Sequence, residues 1–183
     1  MKAALLALLV LFGMAVAQDG AAPESAKPGE AEREWLRQFV GEWTITSNTG
    51  ETPPGMEGSF KSEERIRAVG SLWTYNEADA QFGAMKFQSM MTLGYDPVRE
   101  AFVGTYVDTI QTHLWIYEGQ LDEEKRVLTM NCEGPSMTDP RVMGQYRDQF
   151  ELIGPDHKRM TSSYQDKDGE WVTIMVSEGK RKE

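Results

Sequence analysis

The feature that most constrains this chain is a two-residue alternation of side-chain type, which recurs from Gly41 almost to the C-terminus. In the stretch 142–152, for example, Tyr146, Phe150 and Leu152 share one parity. A period of two is typical of β-strands, whose successive side chains point to opposite faces. Turn sequences such as Pro53-Pro54-Gly55 separate the alternating runs. The pattern predicts about ten strands.

The connections between these runs are too short for the helices that parallel strands require, so the strands are expected to be antiparallel. A meander of this length either splits into a sandwich or closes into a barrel, and closure removes exposed edges. We predict an all-β fold, a single antiparallel up-and-down β-barrel of about ten strands. Apolar residues at helical spacing predict one short helix from Ala31 to Val40, ended by Gly41.

The N-terminal residues have the organisation of a secretory signal peptide. Lys2 precedes an apolar run from Ala3 to Phe12, and Ala15-Val16-Ala17 forms a small-x-small cleavage site. We expect cleavage after Ala17 and a secreted or periplasmic mature chain. The predicted domains are therefore a signal peptide (1–17), a flexible polar lead-in (18–30) and a barrel domain (31–183).

Composition excludes several function classes. The formal net charge is −10, from 19 basic and 29 acidic residues. This charge argues against nonspecific binding to nucleic acid or to anionic lipid. The single cysteine, Cys132, excludes an internal disulfide and a cysteine-only zinc site, and two histidines leave little for a multi-histidine metal centre. We predict no cofactor, no metal, no nucleic-acid partner and no membrane insertion of the mature chain, and leave a homo-oligomer open.

A resemblance to a known family rests on an ordered series of motifs. The predicted helix leads into Gly41-Glu42-Trp43, which resembles the Gly-x-Trp opening of the calycins, the lipocalin and fatty-acid-binding group. The motifs that follow resemble a bacterial calycin-like family, domain of unknown function 1579; they are Gly94-Tyr95-Asp96-Pro97, Tyr106-Val107-Asp108, Glu118-Gly119-Gln120-Leu121-Asp122 and Val127-Leu128-Thr129. The resemblance covers Trp35 to Arg181. It implies a barrel whose relatives hold small hydrophobic ligands or, in one branch, haem.

The two ends of the predicted barrel sequence are expected to meet. Family members tend to close on an aromatic-x-Arg in the last strand, and Gly179-Lys180-Arg181 keeps the arginine without the aromatic residue. We expect the Trp43 ring to stack under Lys180 or Arg181 and close the bottom of the barrel.

Abundant tryptophan and methionine predict a ligand cavity, because small barrels enclose one ligand in a largely apolar interior. An inward arginine would bind a carboxylate or phosphate of the ligand. We predict an exported small-molecule binding protein for a hydrophobic or amphipathic ligand. The residues expected to line the site are Arg65, Trp73, Met85, Phe87, Met91, His113 and Trp115.

Three alternatives stay open. The first is an enzyme that uses Asp108 and His113 as acid and base; an inward Asp108 would need a partner such as Arg65 or Arg67. The second is a haem-binding barrel, for which His157 is the only late histidine. The third is a barrel with a filled core that serves only as an interaction surface.

Overall fold

The computed structural model describes residues 28–50, 58–124, 126–137 and 139–183. The predicted signal peptide (1–17) and most of the predicted lead-in (18–30) lie outside these residues. Across the four described ranges, no helix is both long enough and apolar enough to span a bilayer.

One helix and ten strands make up the described fold. Helix α1 covers Glu30–Arg37, three residues short of the predicted end, because the amides of Gln38, Phe39 and Val40 bond to carbonyls three residues back and tighten the chain. The strands are β1 (Gly41–Thr49), β2 (Ser59–Val69), β3 (Trp73–Phe82), β4 (Met85–Asp96), β5 (Ala101–Asp108), β6 (Trp115–Leu121), β7 (Val127–Pro135), β8 (Met143–Gly154), β9 (His157–Gln165) and β10 (Trp171–Arg181).

Each strand pairs antiparallel with the next, and β1 also pairs with β10, which closes the barrel. At the closure, Trp43 of β1 lies opposite Arg181 of β10 on one side and Glu64 of β2 on the other. The predicted fold, an antiparallel up-and-down barrel of ten strands with a short N-terminal helix, is confirmed.

The helix closes one end of the barrel. Trp35, Leu36 and Phe39 are buried there, and α1 packs against β3 and β4. We call this the closed end. The opposite end, the open end, carries the β3–β4 turn and the β5–β6 and β7–β8 connections. Among the described residues no helix covers this end; the β1–β2 connection, residues 51–57, also belongs to it and lies outside the described residues.

Candidate functional site

The barrel encloses a cavity of about 520 Å³. Pockets for small molecules have volumes of about 300–1,000 Å³, so the cavity is large enough for one small ligand. A completely filled core, the third alternative from the sequence, is therefore wrong. Four of the residues predicted to line the cavity belong to its wall: Met85, Phe87, Met91 and Trp115. Their contact with a ligand stays a prediction.

The other three predicted lining residues lie outside the cavity wall. Arg65 is exposed on the outer surface, where its Nε lies 3.0 Å from Glu42 Oε1, because its neighbours Glu64 and Ile66 take the inward positions of β2. Trp73 begins β3 on the outward parity at the closed end and is 41 % exposed. The predictions for Arg65 and Trp73 were therefore wrong, because both side chains point outward and not into the barrel.

His113 was predicted in an alternating run, but β6 begins only at Trp115, so His113 lies in the β5–β6 connection. Its Nε2 lies 3.0 Å from the carbonyl oxygen of Glu133, and its ring meets Trp115 edge-on with the ring centroids 5.0 Å apart. The prediction that His113 lines the cavity is also wrong.

Asp108 does lie in the cavity wall, at the end of β5. Its Oδ1 accepts hydrogen bonds from the backbone amides of Ile110 (2.8 Å) and Gln111 (2.9 Å). These amides satisfy the carboxylate in place of the predicted arginine; Arg67 instead lies 3.5 Å from Glu77. With His113 bonded to Glu133, the structure does not bring the proposed acid and base together.

A haem-binding barrel would need a histidine ligand in the cavity, but neither His113 nor His157 belongs to the cavity wall. His157 begins β9, and its Nε2 lies 2.7 Å from Glu178 Oε2, with both side chains partly exposed. Among the described residues, no three His, Cys, Asp or Glu side chains come together as a set that could hold a metal ion.

At the closed end, the charged side chains around Trp43 are paired with one another or with its ring, and among the described residues the buried polar atom left without a partner there is Asn76 Oδ1, whose Nδ2 donates to Glu64. The Trp43 ring is fully buried with the Arg181 guanidinium 4.1 Å and the Lys158 ammonium 4.9 Å from its centroid, and its Nε1 donates to Phe39 O at 2.8 Å. The predicted stacking of Arg181 on Trp43 is thus confirmed. Lys158 forms an ion pair with Glu64, although burial still lowers the pKa of the Lys158 ammonium.

A second polar group, which sequence analysis missed, lies on the cavity wall. Asp148 of β8 accepts a hydrogen bond from the hydroxyl of Tyr117 on β6 at 2.8 Å. Burial raises the pKa of the Asp148 carboxyl, against the lowering effect of hydrogen bonds from Ser162 and Tyr117. One signal was available: Asp148 shares the apolar parity of Tyr146 and Phe150, so the alternation that predicts the core also directs this carboxyl inward.

The titratable groups nearest to Asp148 all stay protonated at ordinary pH. Burial raises the pKa of Tyr117 and Tyr106, and the negative charge of Asp148 adds to both shifts. Burial also raises the pKa of the Cys132 thiol to about 12, which makes it unreactive. Among these four groups, Asp148 is therefore the one that takes up a proton as the pH is lowered through its raised pKa.

The family known as Protein of unknown function (DUF1579) matches residues 28–181, nearly all of the described chain. The chain belongs to this family. The resemblance drawn from its motifs is thus confirmed. No curated protein matches the chain.

Solved structures with this fold are distant in sequence. Rv2717c from M. tuberculosis is 11 % identical with a TM-score of 0.57, over 82 % of this chain and 96 % of that one. The S-type phycobiliprotein lyase CPES from Guillardia theta is 12 % identical with a TM-score of 0.54, over 84 % of this chain and 93 % of that one. At such identities the likeness shows the barrel fold alone.

Proposed function

We propose that this DUF1579 barrel is an exported binding protein that holds one small hydrophobic or amphipathic molecule in its interior. The observation that carries the proposal is the cavity of about 520 Å³ inside the barrel, whose wall at one end includes Trp35, Leu36 and Phe39 of the N-terminal segment. A shaped, largely apolar cavity with few polar groups is the usual form of a small-molecule site.

The open half of the cavity is lined with aromatic residues. Phe60 meets Phe82 and Phe87 at centroid distances of 5.9 and 6.1 Å in edge-on geometry. Met85, at the β3–β4 turn, belongs to the same wall and is 46 % exposed. An apolar surface of this kind, left in contact with water, favours binding because a ligand removes it from solvent.

Export is the second element of the proposal, and it is supported by residues 1–17. The test is to express the full chain and sequence the N-terminus of the exported product, which we expect to begin at Gln18. A mature protein that retains Met1 and the apolar run would contradict export without affecting the binding proposal.

The binding proposal agrees with the use of this fold elsewhere, since one solved protein with a similar barrel is a phycobiliprotein lyase.

Binding is tested by titration with the neutral dye Nile red, followed by its fluorescence. We expect saturable binding at micromolar concentration. Ala78→Trp adds an indole to the cavity wall and should weaken binding by about tenfold or more, equivalent to at least ~1.4 kcal/mol.

Ala68→Trp is the matched control, because Ala68 is exposed near the closed end of β2 and does not line the cavity. It should leave binding of Nile red unchanged. If Nile red does not bind saturably and alkyl amines, alcohols and acids also fail to bind, the proposed function is wrong. Equal effects of the two tryptophan variants would place the dye outside the barrel.

A further inference from the structure

The carboxyl of Asp148 lies deep inside the barrel but retains some accessible surface, because it borders the cavity. Its recorded partners are neutral hydroxyl groups, those of Tyr117 and Ser162. Among the described residues, no lysine, arginine or histidine forms an ion pair with it. A carboxyl withdrawn from water without a countercharge is costly, and such groups cluster at functional sites.

The cations near the cavity are already occupied. Lys158 is paired with Glu64, which also accepts a hydrogen bond from Asn76 Nδ2 at 2.7 Å. Arg159 lies 2.7 Å from Glu178 and 3.5 Å from Glu151. A ligand carboxylate would therefore have to displace Glu64, Glu178 or Glu151 to gain a cation. Among the residues described, the cavity wall offers no unpaired base, whereas two of its carboxyls, Asp148 and Asp108, lack a cation, and Asp108 accepts backbone amides instead.

We propose that the ligand of this cavity is an amphipathic amine, whose protonated nitrogen pairs with Asp148 while its apolar part occupies the aromatic open half. The inference rests on the proposed binding function and specifies the class of ligand. A cation at this point supplies the countercharge that the protein itself does not provide.

Aromatic rings around the cavity suit the same ligand. Tyr106, Tyr117 and Trp115 all belong to the cavity wall. The negative faces of such rings attract an ammonium group, and the attraction grows when the cation is removed from water. An aromatic wall beside one carboxyl is therefore selective for a cation over an anion of equal size.

The experiment compares three ligands with the same ten-carbon chain: decylamine, decanol and decanoate, each measured by displacement of Nile red at neutral pH. We expect decylamine to bind at least about tenfold more tightly than decanoate. Asp148→Asn should weaken decylamine binding by about tenfold and leave decanol binding unchanged. Asn keeps the shape of the side chain and can still accept the Tyr117 hydrogen bond.

The matched control is Asp79→Asn. Asp79 is exposed on β3, where it accepts a hydrogen bond from Gln88 Nε2 at 2.8 Å, and its replacement changes the net charge by the same amount. It should not alter the affinity for any of the three ligands. This control separates pairing at Asp148 from general attraction of an amine to an acidic protein.

The pH dependence of ligand affinity in the unmodified protein tests the same inference if the Asp148→Asn variant does not fold. From about pH 8 to about pH 4 decylamine remains protonated, whereas Asp148 takes up a proton as the pH falls through its raised pKa. Tyr106, Tyr117 and Cys132, which interact with Asp148, stay neutral throughout. The other charged groups of the cavity wall have partners of their own: Asp108 accepts two backbone amides, Glu64 pairs with Lys158, and Arg159 pairs with Glu178. The ratio of decylamine affinity to decanol affinity should therefore decrease as the pH is lowered.

Three results would overturn the inference: decanoate bound as tightly as decylamine, Asp148→Asn indistinguishable from Asp79→Asn, or an affinity ratio that does not change with pH. In each of them Nile red still binds in the cavity, so the proposed function stands. If Nile red and all three ligands fail to bind, the proposed function fails as well.

Discussion

Trp43 and Trp115 are both buried in the barrel interior, but their indole nitrogens differ in whether they have a hydrogen-bond partner. At the closed end, the indole nitrogen of Trp43 donates to Phe39 O and two cations lie over its ring. In the open half, the indole nitrogen of Trp115 is buried and has no hydrogen-bond partner among the described residues. Unsatisfied buried groups are rare and concentrate where a protein binds something.

The buried charged side chains differ between the two regions in the same way as the two tryptophans. Toward the closed end, Lys158 and Glu64 neutralise each other, whereas on the cavity wall Asp148 has only hydroxyl partners. The charged groups at the closed end thus stabilise one another, whereas the open half contains buried groups that the protein itself does not compensate. Stability and binding should therefore respond to different residues.

The largest expected effect is the loss of stability in Trp43→Ala. This change removes a fully buried ring, its hydrogen bond and two cation–π contacts, so we expect the free energy of unfolding to fall by about 4 kcal/mol. Urea denaturation followed by far-UV circular dichroism measures it.

Trp115→Ala is the comparison for that experiment. Trp115 is 9 % exposed and borders the cavity, and its truncation also removes the unpaired N–H, so we expect a loss of about 2 kcal/mol or less. If the two truncations cost the same, the proposed division between the ends of the barrel is wrong.

A smaller effect is expected at Gly41, where the chain passes from helix to barrel. Its φ of 143° is one that L side chains rarely adopt, and an added Cβ would meet the Arg181 guanidinium that covers Trp43. Gly41→Ala should lower the free energy of unfolding by about 2 kcal/mol.

Gly144→Ala is the matched change at the open end. Gly144 has no positive φ, and a Cβ there would make only ordinary contacts, 3.6 Å from the Tyr146 ring. We expect its effect to stay within about 0.5 kcal/mol. A large loss in thermal unfolding temperature for Gly144→Ala would mean that the open end is packed as tightly as the closed end.

The barrel could be predicted from the sequence because period-two alternation and turn residues are local properties of the chain. It is harder to predict which face of a strand points inward when both faces carry polar residues. On β2, the inward residues Ser62 and Glu64 alternate with the outward Glu63 and Arg65, so polarity does not distinguish the two parities. Arg65 was consequently assigned to the wrong face.

The candidate site could be predicted only in its apolar half. Met85, Phe87 and Met91 follow from a strand with a clear apolar parity. The polar half depends on Tyr117 and Asp148, which are 31 residues apart and meet only when β7 pairs with β6 on one side and with β8 on the other. A contact of this kind is set by register across strands, which local sequence patterns do not encode.

A further effect is expected at Asp148, smaller than those at Trp43 and Gly41 and opposite to them in sign. Because the folded pKa of Asp148 is raised, the folded state binds more protons than the unfolded state between the two pKa values, and stability is lost as pH rises through that window. At neutral pH, Asp148→Asn should therefore raise the free energy of unfolding, by about 1 kcal/mol. At a pH below the unfolded pKa this gain should disappear, because both side chains are then neutral. Urea denaturation at both pH values, with Asp79→Asn as the control, measures the difference; a loss of stability at neutral pH would mean that the carboxylate is compensated inside the barrel.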